Sequence, residues 1–116
     1  MALSTTLPRP LPDQLVELIA ARFRVIGEPM RIRLLDALRD GESSVQELAD
    51  AVGASQQNVS KHLGTLHDAG IVARRKEGTR TVYSIADPSV LDLCEHVCGS
   101  LQRQHSELGD LLAGVA

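Results

Sequence analysis

A chain of 116 residues with 43% apolar side chains is one domain with enough material for a core. Its only aromatic residues are Phe23 and Tyr83, which argues against a binder that stacks single-stranded bases. The net charge of −3 hides a segregation: residues 54–84 hold five Lys/Arg against two acids (+3), residues 85–116 one against five (−4), and residues 1–53 six against eight (−2).

The first eight residues, Met1 to Pro8, lack the basic and apolar regions of a signal peptide. No run approaches the roughly 18 apolar residues of a membrane span, so a cytoplasmic protein with no membrane partner is expected. Residues 1–11 read as a flexible arm, with Pro8-Arg9-Pro10 favouring extended backbone. A domain over residues 12–112 and a short tail over 113–116 follow. A first helix is predicted from about Pro12 to Ile26, because Leu15, Leu18, Ile19, Phe23 and Ile26 keep helical spacing and Gly27 can end it. Glu28-Pro29 starts a second helix with Pro at its first position, and Met30, Leu34, Leu35 and Leu38 form its buried face. Asp40-Gly41-Glu42 is a turn.

Ser44-Val45-Gln46-Glu47 has the capping-box pattern, and Val45, Leu48, Ala49 and Val52 make one face of a short helix. Gly53-Ala54 turns the chain, and Ser55 caps a further helix that ends at Gly70. Val59, Leu63 and Leu66 repeat at i, i+4, i+7 on its apolar side. Its other side carries Gln, Asn, Ser and Lys, the side chains that hydrogen-bond base edges and phosphates. Two short helices joined by a glycine turn form the helix-turn-helix pattern. Many helical hairpins share it, so its neighbours decide its meaning. Those neighbours are two β-rich runs, Ile71 to Lys76 and Thr79 to Ile85, joined at Glu77-Gly78 as a hairpin. Arg74, Arg75, Lys76 and Arg80 make that hairpin a basic wing suited to phosphate or minor-groove contact.

Asp87-Pro88 starts a last helix predicted to reach about Leu112, roughly 25 residues or about 37 Å. So small a domain cannot cover that length, so part of the helix should pack on helix 1 and on a second copy of the chain. The expected fold is mainly α with a small β-hairpin, in the order α-α-α-α-β-β-α: a winged helix-turn-helix, homodimeric through its first and last helices.

These pieces together resemble the ArsR/SmtB family of bacterial winged-helix repressors. The resemblance rests on Gly27 to Leu35 after helix 1, on Ser55 to Leu63 with Leu66, on Ala69-Gly70-Ile71-Val72, and on Glu77 to Tyr83 as the wing. It covers residues 12–112. It implies a homodimer that binds double-stranded operator DNA as a repressor and releases it when an inducer binds. By position, Ser55, Gln56, Gln57, Asn58, Ser60 and Lys61 would face DNA. Gly64 departs from the pattern, since a basic residue is common there. His62 and His67 are expected on the DNA side or the surface.

The family's inducer sites differ in place. One uses cysteines at the start of the helix before the recognition helix, where Ser43 to Leu48 has none. Another lies on the last helix and uses an Asp-x-His pair with a later His; here the run is Asp92-Leu93-Cys94, then His105 to Leu108, a partial match. At about 100° per residue, Cys94, Cys98, Leu101, His105 and Leu108 share one stripe, with Asp92 and Glu107 near the opposite side. Last helices crossing antiparallel near Gly99-Ser100 would bring Cys94 and Cys98 of one chain to His105 of the other. That set suits a soft or borderline ion: Zn, Cd, Cu(I) or As(III). Free thiols fit a cytoplasmic chain with two Cys. The alternatives are a thiol-redox or persulfide response at Cys94 and Cys98, or a repressor with no metal site in which the thiols only pack. Against the redox reading, Asp92 and Glu95 disfavour a thiolate, and an i, i+4 disulfide points its Cβ vectors poorly. A dimeric protein-interaction module without DNA is a distant alternative, disfavoured by the charge segregation. An enzyme is not expected, because Cys94 with His105 is the only nucleophile and base pair and no phosphate loop or carboxylate pair supports it.

Overall fold

Val59, Leu63 and Leu66 have no exposed surface at all, and the rest of the chain is built around them. In the computed structural model they lie on α4 (Gln56–Asp68), the second limb of a helix-turn-helix. The structure describes residues 7–105 together with 107, 110, 111, 113 and 114. The first six residues of the expected arm, and Leu108 and Leu112, lie outside the described residues.

α1 (Asp13–Ile26) and α2 (Pro29–Ala37) come first. Glu28 caps α2, its carboxylate accepting the Met30 and Arg31 N–H groups at 3.2 Å each. Leu34, Leu35 and Leu38 are buried as the spacing predicts, and Met30 packs against them. α3 (Val45–Val52) opens with the full capping box: Ser44 Oγ accepts from Glu47 N, and Glu47 Oε1 accepts from Ser44 N. Gly53 then takes the left-handed conformation at φ 68°, which side chains bearing a Cβ adopt at a cost. Ser55 Oγ accepts from Asn58 N and starts α4.

β2 (Val72–Glu77) and β3 (Arg80–Ile85) pair antiparallel, from Val72 opposite Ile85 to Glu77 opposite Arg80. The two-residue turn between them has φ +64° at Gly78. A strand absent from the sequence reading, β1 (Ser43–Ser44), adds to the other edge of β3. Two residues carry no periodicity, so it could be found only through its partners Tyr83 and Val82. α5 (Ser89–Gln104) follows, with Asp87 Oδ1 accepting from Ser89 N. No helix among the described residues is long and apolar enough to cross a membrane.

The last helix departs from expectation at its far end. α5 stops at Gln104, and His105 is extended at φ −129°, ψ 107°. Residues 101–105 are all exposed, so no packing within the chain opposes a break there, and Glu107, Asp110 and Leu111 beyond it are helical again, within the expected reach to Leu112. The continuous stripe through His105 therefore reduces to Cys94, Cys98 and Leu101 on α5. α1 is likewise covered only in part: Ile26 is its one buried residue, whereas Val16, Leu18 and Phe23 are 44%, 62% and 54% exposed.

The capping box makes an acid-sensitive contact. The Ser44 N–H, then the Ser44 hydroxyl and the Arg80 charge, hold the Glu47 carboxyl below its ordinary value of 4.5. A depressed folded pKa contributes stability above the unfolded value, which is lost as pH falls through the folded one. Between neutral pH and pH below 4.5, Glu47→Gln should lose less of its urea-midpoint stability than wild type, because Gln keeps the acceptor and cannot protonate. An equal acid loss in both proteins would contradict this.

Candidate nucleic-acid interface

The three buried residues of α4 turn its opposite side outward. Ser55, Gln56, Gln57, Ser60 and Lys61 are exposed, and Asn58 is half-buried. All six predicted residues thus lie within two turns at the helix start, where free N–H groups favour anions. Lys61 has no acidic partner within salt-bridge distance among the described residues.

The wing brings Arg74, Arg75, Lys76 and Arg80 alongside, but not on a single surface. Strand alternation places Arg74 and Lys76 with Thr81 and Tyr83 on one face of the sheet, and Arg75 with Val82 on the other. Arg74 and Lys76 have no acidic partner among the described residues. Arg75 and Arg80 do: Arg75 meets Glu42 and Glu77, and Arg80 meets Glu47 and Glu77. A groove of about 550 Å³ joins the two elements, lined by Glu47 and Asp50 of α3, Gln56 and Ser60 of α4, and Arg80 and Thr81 of β3.

Of the two histidines of α4, His62 does not face outward as expected. The His62 side chain is only 14% exposed. Its Nδ1 accepts from Arg31 Nε at 3.2 Å and lies 3.4 Å from Glu28 Oε2. Arg31 Nη1 also donates to the Val25 carbonyl at 3.0 Å, so one guanidinium ties the end of α1, the start of α2 and the rear of α4. Partial burial opposes ionisation of Glu28. The Met30 and Arg31 N–H groups, with the charge of Arg31, outweigh it and hold the carboxyl below its ordinary value. His67 is half-buried, with Nδ1 enclosed and without a hydrogen-bond partner. The His62 ring therefore serves the inner side of the helix, whereas the His67 ring stays one-third exposed, 3.7 Å from Asp68 Oδ1. Arg31 is the residue that sequence reasoning missed; its only signal was its place in the segment after Gly27.

A second constellation lies on α5. Cys94 is half-buried, Cys98 is exposed, and both thiols are free. They stand one turn apart on the same helix. Two such thiols match the donor chemistry of a thiophilic ion and leave its shell incomplete. Among the described residues of one chain, no group of three or more His, Cys, Asp or Glu side chains is placed to hold a metal. His96 is exposed.

Residues 28–74, from the cap of α2 into β2, match the model of the bacterial regulatory protein, arsR family. Over 111 residues the chain is 36% identical to the HTH-type transcriptional regulator KmtR of Mycobacterium tuberculosis, spanning 90% of this chain and 85% of that one. The chain belongs to the arsR family of bacterial regulators. Among solved structures it is similar to the AntR antimony-specific transcriptional repressor, with a TM-score of 0.75 at 30% identity over 90% of this chain and 95% of that one. It is also similar to the homodimeric winged helix-turn-helix DNA-binding domain of Mb0332 from Mycobacterium bovis, with a TM-score of 0.70 at 29% identity over 84% and 96%. ArsR-family proteins are transcription regulators, so neither the enzyme nor the interaction-module alternative stands.

Proposed function

We propose that this ArsR-family regulator is a homodimeric repressor that binds double-stranded operator DNA in the cytoplasm and is released by a thiophilic metal or metalloid sensed on α5. The observation that carries the DNA reading is the two-sided α4. Three wholly buried side chains fix its rear, and Ser55, Gln56, Gln57, Asn58, Ser60 and Lys61 occupy its front, beside the cations of the wing. In this arrangement α4 enters the major groove. Its polar side chains read base edges, and Arg74, Arg75, Lys76 and Arg80 meet phosphates. The uncovered apolar side chains of α1 and α5 support a dimer, which is also the state of the Mb0332 domain. A two-fold axis then presents two copies of α4 to two half-sites.

The inducer reading rests on Cys94 and Cys98. These thiols, with His105 of the partner subunit, are the proposed ligand set for Zn, Cd, Cu(I) or As(III). The end of α5 at Gln104 leaves His105 on extended backbone rather than on the helical stripe. An ion held there would supply a cross-link between the two α5 helices. The chain's own contribution is the link from that helix inward. Glu95, next to Cys94, accepts from Arg39 Nη1 at 2.7 Å, just beyond the end of α2. A shift of α5 would therefore move a partner of the segment just beyond α2, the helix that packs on α3 and α4. The repressor likeness to AntR supports the same class of inducer.

The test is a DNA-release screen on the purified protein with Zn, Cd, Cu(I), arsenite, peroxide and polysulfide, on wild type and Cys94→Ser. A thiophilic ion should release DNA from wild type and not from the variant. Release by peroxide or polysulfide alone would replace the metal reading with a thiol-redox one. No release by any agent, or an equal response in Cys94→Ser, would remove the sensor from α5 while leaving DNA binding intact.

A further inference from the structure

Two of the four wing cations are already engaged before any DNA is present. Arg75 Nη2 donates to Glu42 Oε1, and Arg75 Nη1 lies 2.9 Å from Glu77 Oε2. Arg80 Nη2 lies 3.2 Å from Glu47 Oε1, and Arg80 Nε 4.0 Å from Glu77 Oε1. Glu42 and Glu47 each stand 33 residues from their arginine, so the fold rather than local sequence brings them there. Glu42 comes from the turn before β1, whose Ser43 sits opposite Tyr83. Glu47 is held by the capping box, its Oε1 accepting from Ser44 N at 2.9 Å and from Arg80 as well. All four side chains are about half-exposed, between 49% and 60%, so another anion can reach them. The hydrogen bonds to Glu42 and then to Glu77 also raise the Arg75 pKa above its ordinary value. A carboxylate and a phosphate take the same planar fork of a guanidinium.

We propose that Glu42 and Glu47 are built-in competitors for the DNA backbone: they occupy Arg75 and Arg80 in the free protein and so lower its affinity for duplex DNA of every sequence by one common factor. The inference rests on the DNA-binding reading of α4 and the wing. Base reading by α4 is untouched, since neither acid lies on that helix. The consequence is releasability. An inducer that weakens DNA binding by the usual 5- to 150-fold, as an order of magnitude, clears an operator only if the starting affinity is not too high.

The test uses the full chain and fluorescence anisotropy on two duplexes, one selected by the wild-type protein from a random library and one scrambled. Glu42→Gln and Glu47→Gln are measured singly and together. Gln at position 47 retains the capping box, so α3 keeps its start. Each variant should bind both duplexes about threefold more tightly at low salt, and the pair about tenfold, as exposed ion pairs of ordinary strength imply. The ratio between duplexes should not change, and Arg75→Ala should weaken binding more in the Glu42→Gln background than in wild type. Asp36→Asn removes one charge from α2, away from the wing, and should change little. The inference is overturned if the Glu variants bind no more tightly, if they gain only on the selected duplex, or if Asp36→Asn gains as much. Wild-type protein that binds neither duplex would overturn the DNA reading and this inference together. Binding that Arg75→Ala and Arg80→Ala weaken, but the Glu variants do not strengthen, would overturn this inference alone.

Discussion

Phe23→Asp should leave each chain folded and yet dissociate the dimer. Phe23 is 54% exposed in the single chain, on the same face of α1 as Val16 at 44%, so its loss removes little from the core. α5 exposes Val97 and Leu101, and Arg22 of α1 reaches within 4.0 Å of Asp87 ahead of α5, which brings the two helices into one region. So many large apolar side chains left open on two helices mark an association surface. Burying the exposed part of one Phe contributes about 2 kcal/mol. A two-fold interface counts that contribution twice, so about 4 kcal/mol is at stake before the cost of two buried carboxylates. The dimer dissociation constant should therefore rise by about a thousandfold or more. Affinity for a two-half-site duplex should fall by at least about a hundredfold, because binding by two linked modules gains that much over one. Sedimentation with circular dichroism reads both effects. A Phe23→Asp protein that remains a dimer at low concentration would remove α1 from the interface.

Leu63→Ala should act on the other side of the same architecture. Leu63 is wholly buried between Val59 and Leu66 in the cluster that includes Leu34, Leu48 and Ile71. Truncating such a leucine costs about 2–5 kcal/mol in lost transfer energy and residual cavity. That is a large share of the roughly 5–15 kcal/mol of a typical domain. The urea midpoint should fall with little change in slope, at fixed protein concentration because a dimer's stability depends on it. Gln57→Ala, on the exposed side of the same helix, should change stability by no more than about 0.5 kcal/mol. Equal destabilisation by both substitutions would contradict the two-sided reading of α4.

The buried side of α4 was legible because three apolar residues at i, i+4, i+7 fall on one face of a helix and on no single face of a strand. His62 shows where such spacing stops being informative. Helical spacing gives the direction of a side chain but not the width of the covered arc. Here Glu28 and Arg31 extend that arc beyond the apolar stripe and enclose the ring. The capping box, the Gly53 turn and the hairpin were legible for a related reason: each is set by local backbone chemistry within four residues. What local chemistry does not set was hidden. β1 exists only because β3 offers it an edge, and the acids facing Arg75 and Arg80 arrive from 33 residues away. The break at His105 was not legible because the apolar spacing continues through Leu101 although nothing within one chain covers that turn.

If α4 and the wing bind duplex DNA through its phosphates, that binding should depend steeply on salt. The equilibrium constant for a library-selected duplex would be measured by anisotropy across roughly 50–200 mM salt, on wild type, Gln57→Ala and Arg75→Ala. A dimer making about 6–10 phosphate contacts should lose about 10³- to 10⁵-fold in affinity over that range, linearly in log–log form. Gln57→Ala should relax base preference with the slope unchanged, whereas Arg75→Ala should weaken binding to all sequences alike and make the slope shallower. Weak binding that stays flat with salt, in wild type as in the variants, would exclude α4 and the wing as a DNA-binding surface.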